Sequence, residues 1–230
     1  MIKTDLHIHS CLSPCADSAM TPRELVAAAR EAGLGLIALT DHNSTRNCHA
    51  AAAEAAAAGI GFIPGLEVTT SEEIHCVCLF PDVGKAAAFS RWLDSLRPSR
   101  SIKPAIFRKG PGMVAAPRRF DEQELLFAAR NISLEELPRA VRMYGGLLWP
   151  AHVDKPANSL YSILGCWPEG IEVDAVELYG ERPPRDVPAS LRQLRCSDAH
   201  RLWDIKKFGG FDLPLTSPDF TGLERYLKGL

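Results

Sequence analysis

The chain has 230 residues, 46% of them apolar and 23% charged, with a formal charge of −2. That length suits one large domain or two small ones with a sizeable core, and the balance excludes both a global basic field for nucleic acid and an acidic disordered tail. No stretch is apolar enough to span a bilayer and the first residues lack the marks of a signal peptide, so a cytoplasmic protein with no membrane partner is expected.

Residues 2–9 read as the first strand, with Asp5, His7 and His9 on one face and Leu6 and Ile8 on the other. Two imidazoles two residues apart, preceded by a carboxylate on the same side, suit a pair of metal-ligand nitrogens with an acidic orienting partner. The competing reading is a strand with two half-buried histidines. Thr21-Pro22-x-Glu24 then supplies a hydroxyl cap, a proline at the first position and an acid in the first turn of a helix running to Gly33. Residues 36–40 form a short apolar strand ending at Asp41-His42-Asn43. An alanine-rich helix over 45–58 follows, then a strand over 60–64 ending at Gly65-Leu66-Glu67. A further strand over 74–80 carries His75 near its start. This alternation predicts parallel strands joined by crossover helices.

After a helix over 85–96 the pattern loosens. Arg97, Arg100, Lys103, Arg108, Lys109, Arg118 and Arg119 occur among prolines and glycines with no acid between them. This stretch predicts a long excursion or lid inserted at about 97–132. Phe107 and Phe120 are too few to argue for base stacking along a nucleic-acid strand. Ser133-x-x-Glu136 matches a capping box opening a helix to Met143. Strands over 147–151, 174–179 and 191–196 follow, the first running into His152, and a tail completes the chain. The odd count of seven cysteines favours reduced thiols. Cys11-x3-Cys15 and Cys76-x-Cys78 lack zinc-ribbon spacing and read as small buried thiols. Trp92, Trp149, Trp167 and Trp203 read as packing residues.

Of the seven histidines, only His49 falls inside a predicted helix; His7, His9, His42, His75, His152 and His200 lie on or just beyond the ends of apolar strands. In a parallel α/β barrel such ends converge on one mouth. Asp17, Asp41, Glu67 and Asp198 accompany them, and Asp198-Ala199-His200 repeats the i, i+2 arrangement of the first motif. Converging imidazoles and carboxylates would desolvate and repel one another unless cations filled the centre. A metal site is therefore expected in preference to unrelated structural histidines.

In this order, Asp5-Leu6-His7-Ile8-His9-Ser10, Leu39-Thr40-Asp41-His42-Asn43, Gly65-Leu66-Glu67, His75, Ala151-His152 and Cys196-Ser197-Asp198-Ala199-His200 resemble the polymerase and histidinol phosphatase (PHP) family. The resemblance spans residues 2 to about 211. It implies an α/β fold, a distorted (β/α)7 barrel, as a single domain over 1–230, with the metal centre at the C-terminal ends of the strands. Position by position, it implies that His7, His9 and Asp198 hold one metal and that Glu67 bridges to a second held by His75 and His152. His42 and His200 would hold a third with a residue of the loop after the first strand. Asp17, four residues before Thr21-Pro22, is assigned there; residues 11–15 look like an insertion before it, and Cys15, as a soft ligand, is the alternative. Asp41 is assigned to orienting His42.

Two or three divalent ions are thus expected, and zinc, manganese and iron suit these donors alike. Such ions generate hydroxide near neutral pH and neutralise phosphoryl charge, with Asp198 or His200 as the proton acceptor. Lys155, Arg182 and Arg185 are candidate phosphate-binding residues, each weighed against a solvated surface charge. The expected function is a metal-dependent hydrolase acting on a small phosphorylated molecule, a phosphomonoester above all. The alternatives are a nuclease, supported by the basic excursion and opposed by the slightly acidic balance, or a catalytically silent metal-binding regulatory domain, opposed by the filled ligand positions.

Overall fold

The computed structural model describes residues 1–96 and 126–230. Most of the expected excursion, residues 97–125, lies outside them.

Six strands form one sheet in the order β5-β4-β3-β2-β1-β8, and β6 and β7 form a separate pair. The strands are β1 (Ile2–Ile8), β2 (Leu36–Leu39), β3 (Gly61–Thr69), β4 (His75–Leu79), β5 (Leu147–Pro150), β6 (Ala175–Glu177), β7 (Arg192–Leu194) and β8 (Phe211–Leu213). The first half follows the expected rule: β1–β2 and β2–β3 pair in parallel, and α1 (Pro22–Glu31) and α2 (Cys48–Ala58) make the crossovers. Thr21 caps α1 by accepting from the Glu24 N–H at 3.3 Å, with Pro22 at the first position. Gly59, at φ +70°, closes α2 in the left-handed conformation that glycine adopts without strain.

The all-parallel expectation fails from β3 onward. That strand runs on through Gly65, Leu66 and Glu67 to Thr69 and pairs antiparallel with β4, from Gly65 opposite Leu79 to Thr69 opposite His75. β4 and β5 are antiparallel as well. Residues 70–74 make a turn closed by Thr70 N–H on the Ile74 carbonyl (2.9 Å), too short for the crossover that a parallel pair requires. Asp174 N–H bonds the Leu148 carbonyl and Val153 N–H bonds the Glu177 carbonyl, both at 2.9 Å, which sets β6 beside β5. Ala199 in turn bridges to Ile8 at the end of β1. The result is a mixed α/β fold around a curled half-barrel sheet.

Helix α3 (Val83–Ser95) starts at Asp82, whose carboxylate accepts from Lys85 N–H. The Ser133–Glu136 box forms, its two side chains bonded to each other's backbone N–H at 3.2 and 3.0 Å, on the turn leading into α4 (Leu137–Met143). The expected tail is structured. After α5 (Leu160–Leu164), α6 (Leu202–Phe208) leads to β8, antiparallel to β1, and to α7 (Phe220–Lys228). One layer of core joins Leu6, Ile63, Val77 and Trp149 to Leu213 and Leu223 of this tail. Ile8, Met20, Leu25 and Leu39 pack under α1 and α2, and Leu66, Val68, Phe80 and Phe89 pack under α3. Cys48, Cys76 and Cys78 are fully buried. Trp149, Trp92 and Trp167 pack in or against the core, but Trp203 on α6 is 66% exposed, against expectation. Among the described residues no helix is long and apolar enough to cross a membrane.

The tail passes so close to β3 that a Cβ on Gly61 would run into the Pro218 carbonyl. Gly61→Ala is expected to lose ~1–3 kcal/mol through overpacking, read as a lowered urea midpoint at unchanged slope.

Candidate metal centre

The alternation along β1 puts His7 and His9, both fully buried, on one face at the strand's C-terminal end. Beyond β2, His42 bridges to Glu67: Asn43 N–H bonds the Glu67 carbonyl at 2.8 Å and Glu67 N–H bonds the Asp41 carbonyl at 3.1 Å. Because β4 runs antiparallel to β3, its first residue, His75, lies at the same end. β5 reverses once more and delivers His152 to it, and the Ala199 bridge to Ile8 brings Asp198 and His200 beside β1.

These elements converge on Glu67. Its Oε1 lies 2.9 Å from His75 Nδ1, 3.2 Å from His152 Nε2 and 3.4 Å from His7 Nε2. Its Oε2 lies 3.0 Å from His42 Nδ1 and 3.3 Å from His9 Nε2. Asp198 Oδ1 adds a second carboxylate, 3.5 Å from His7 Nε2 and 3.3 Å from His9 Nε2. Three sets of potential ligand atoms, each within 4.8 Å of one another, result: His7, His9 and Asp198; His42, Glu67 and His75; and His9, Cys15, His42 and His200.

A surrounding layer fixes which nitrogen faces inward. Glu177 accepts from His7 Nδ1 at 2.9 Å, from Trp149 Nε1 at 3.2 Å and from the His152 backbone N–H at 3.3 Å, which turns His7 Nε2 toward the cluster. Ser13 Oγ donates to Asp41 at 2.6 Å and so accepts from His9 Nδ1 at 2.9 Å. Asn158 meets His75 Nε2 at 3.2 Å, and the Asp198 carbonyl engages His200 Nδ1 at 2.7 Å. Three of these residues hold left-handed backbone that non-glycine residues rarely adopt: His152 (φ +31°), Asn158 (φ +52°) and Asp198 (φ +49°). Each such residue costs of order 1–3 kcal/mol, which the surrounding contacts offset.

Burial lowers His42 to about 3 and His200 to about 4, so both imidazoles are neutral. Burial also opposes the charge on His9, but Asp198 and Glu67 carry it up to about 9. Burial works against the Glu67 carboxylate too, yet His75, His7 and His42 hold it well below the usual range. Among the buried polar atoms with no hydrogen-bond partner are His42 Nδ1, Glu67 Oε2 and His152 Nδ1. Orphaned buried polar atoms are destabilising. Lone pairs of nitrogen and carboxylate oxygen crowded around an orphaned Glu67 oxygen fit divalent cations, which would give them partners.

Of the expected residues, His7, His9, His42, Glu67, His75, His152, Asp198 and His200 come together. Asp17 does not join them: its carboxylate accepts from Ala19 N–H at 2.9 Å, closing its own turn, and Cys15 stands in the donor set instead. Asp41 does not orient the His42 ring; it accepts from Ser10 N–H, Ser10 Oγ and Ser13 Oγ, and acts on His9 through Ser13. Asp5, the expected orienting carboxylate, bonds Ser197 N–H at 3.0 Å, and burial pushes it up to about 7. Lys155 reaches the cluster, its Nζ 2.7 Å from Asp198 Oδ2. Arg182 and Arg185 stand exposed outside the cluster's contacts. The sequence reading missed Glu177, Ser13 and Asn158. For Glu177 a signal existed, a lone carboxylate in the apolar run Ala175-Val176-Glu177-Leu178.

Residues 126–130 pack beside the cluster. Asn43 Nδ2 donates to the Leu126 and Ala128 carbonyls at 2.7 and 3.3 Å, Arg130 N–H bonds the Thr69 carbonyl, and the Phe127 ring lies 4.8 Å from that of His42.

A family model described as the PHP domain matches residues 5–142. A 3′,5′-nucleoside bisphosphate phosphatase of Chromobacterium violaceum is 40% identical over 44% of this chain and 35% of its own length. A 5′-3′ exoribonuclease, Rnm, of Salmonella typhimurium is 39% identical over 36% of this chain and 29% of its own length. The matched segment thus spans about a third of these relatives. In three dimensions, the lesion-specific endonuclease PfuEndoQ of Pyrococcus furiosus superposes with a TM-score of 0.71 over all of this chain and 56% of that one, at 19% identity, a likeness of fold.

Two outcomes follow for metal binding. Glu177→Gln should weaken it about 10–100-fold by calorimetric titration while the fold persists, because His7 loses its charged anchor. His9 is protonated at pH 7 in the metal-free protein, its value being about 9. Divalent ions must displace that proton, so affinity should rise with pH above 7. Titrations in buffers of different ionisation enthalpy should show at least one proton released at pH 7.

Proposed function

Because the chain belongs to the PHP domain family, we propose that it is a metal-dependent phosphoesterase hydrolysing a small phosphorylated molecule, a phosphomonoester above all. The observation that carries this reading is Glu67, a fully buried carboxylate within 3.4 Å of five imidazoles. His7, His9 and Asp198 would hold one divalent ion and His75 and His152 a second, with Glu67 between them; His42 and His200 would contribute to a third. When bound, such ions acidify water and neutralise charge on phosphoryl oxygens.

The remaining roles fall to the chain's own groups. Lys155, 36% exposed at the side chain, presents an ammonium beside Asp198 at the mouth, where it can move from that carboxylate to a phosphoryl oxygen. Asp198, anionic because His7 and His9 outweigh its burial, and His200, neutral, are the proton acceptors at hand. Glu177 and Ser13 keep His7 and His9 in the tautomer that faces the centre. The likeness to a 3′,5′-nucleoside bisphosphate phosphatase supports including nucleoside bisphosphates among the first substrates to try. A second reading, a nuclease acting on nucleic-acid ends, is favoured by the exoribonuclease relative and by the acid-free run of cations from Arg97 to Arg119.

The test is phosphate release from a panel of monoesters, diesters and oligonucleotides, with and without added Mn²⁺ or Zn²⁺. Chelator-sensitive turnover of a small monoester is expected, and cleavage of oligonucleotides alone would replace it with the nuclease. His7→Ala and Glu67→Ala should each abolish turnover in a folded protein. Lys155→Met should raise KM about 10–100-fold at unchanged metal content, the loss of one charge-assisted hydrogen bond.

A further inference from the structure

We propose that the sulfur of Cys15 completes a third metal position with His42 and His200, a thiolate-bearing site with an open fourth coordination place that takes a borderline-soft ion such as zinc. The inference deepens the metal-centre reading and rests on it.

Ligand atoms of His9, Cys15, His42 and His200 lie within 4.8 Å of one another. Not all four can serve the same ion. His9 Nδ1 is held by Ser13, so only Nε2 has a free lone pair, and that atom sits 3.3 Å from both Asp198 Oδ1 and Glu67 Oε2. One lone pair serves one ion, and His9 therefore belongs with His7 and Asp198. Cys15, His42 and His200 are left. His200 Nδ1 is engaged by the Asp198 carbonyl, which frees Nε2. His42 is 4% exposed, and its Nδ1, 3.0 Å from the Glu67 carboxylate, makes no hydrogen bond: a buried imidazole inside a group of donor atoms.

The loop fixes the sulfur's place. Ser13 N–H bonds the Ser10 carbonyl at 3.0 Å and Ala16 N–H bonds the Ser13 carbonyl at 2.9 Å. Two successive turns thus present Cys15, while Ser13 ties the loop to Asp41 and His9. The neighbouring carboxylate of Asp17 is turned into its own backbone.

One sulfur and two imidazoles are a tetrahedral zinc set lacking its fourth member, the form of a site that leaves a place for water or substrate. The thiolate makes this position softer than the nitrogen and oxygen sets around Glu67, so it should discriminate among ions where they do not. Cys15 is also exposed, so its thiol is open to alkylation and oxidation when no ion holds it.

The test is titration of the metal-depleted full-length protein with Co²⁺, read by near-ultraviolet thiolate-to-cobalt charge transfer and by elemental metal content. The band should saturate with one equivalent. Cys15→Ser should lose both the band and that equivalent, and Cys11→Ser should keep both. No band in the wild type, an undiminished band in Cys15→Ser, or loss of the equivalent in Asp17→Asn but not in Cys15→Ser would each overturn the assignment. Peptide mapping of the wild type avoids any folding defect: zinc should protect Cys15 from iodoacetamide, and equal labelling with and without zinc would overturn it as well. Metal bound without a thiolate band sinks this assignment and leaves the phosphoesterase standing; a band in a protein inactive across the phosphate panel does the reverse.

Discussion

The structure depends on one buried anion. Glu67 lies in the interior of a sheet, where an unpaired carboxylate would be pushed toward its neutral form. Instead five imidazoles from four strand ends crowd around it, and their attraction holds it charged. Such an arrangement is over-determined with respect to position and under-determined with respect to charge. Neutral His42 and His200 and protonated His9 share one small volume with two carboxylates. Divalent cations would settle that conflict directly, by taking over the lone pairs that the protons now compete for.

Around this centre the chain accepts local strain and broken sheet regularity. His152 and Asp198 arrive in left-handed backbone at the points where their strands have just ended, and Asn158 does the same beside His75. Those conformations aim side chains that regular strand geometry would send elsewhere, and the bonds to Glu177, the Asp198 carbonyl and Ser13 then lock the rings. The antiparallel turn at 70–74 serves the same end. A parallel β4 would have carried His75 to the far edge of the sheet; reversal returns it to the mouth within a few residues.

Much of this was legible in the amino-acid sequence, for a definite reason. Imidazoles and carboxylates at the ends of apolar strands, twice with i, i+2 spacing, mark a converging polar site however the strands are wound. Winding itself was harder. The strand–helix alternation before β4 set the expectation of parallel pairing, whereas β3 runs on to Thr69 and leaves too short a gap before His75 for a crossover. β8, three residues long, exists only because β1 offers it an edge. Glu177 could be flagged as a charge in an apolar strand, yet nothing local said which histidine it would hold. Asp17 and Cys15 show the limit most clearly. Both lie in the same loop at plausible positions, and only the turn that commits the Asp17 carboxylate to Ala19 separates them.

Asn43 lies between two kinds of structure. Its side chain accepts from Thr69 N–H and donates to the carbonyls of Leu126 and Ala128, so residues 126–128 are pinned to the same sheet end that carries Glu67. The amide thereby makes residues 126–128 part of that sheet end, and whatever shifts this contact also shifts the Phe127 ring beside His42.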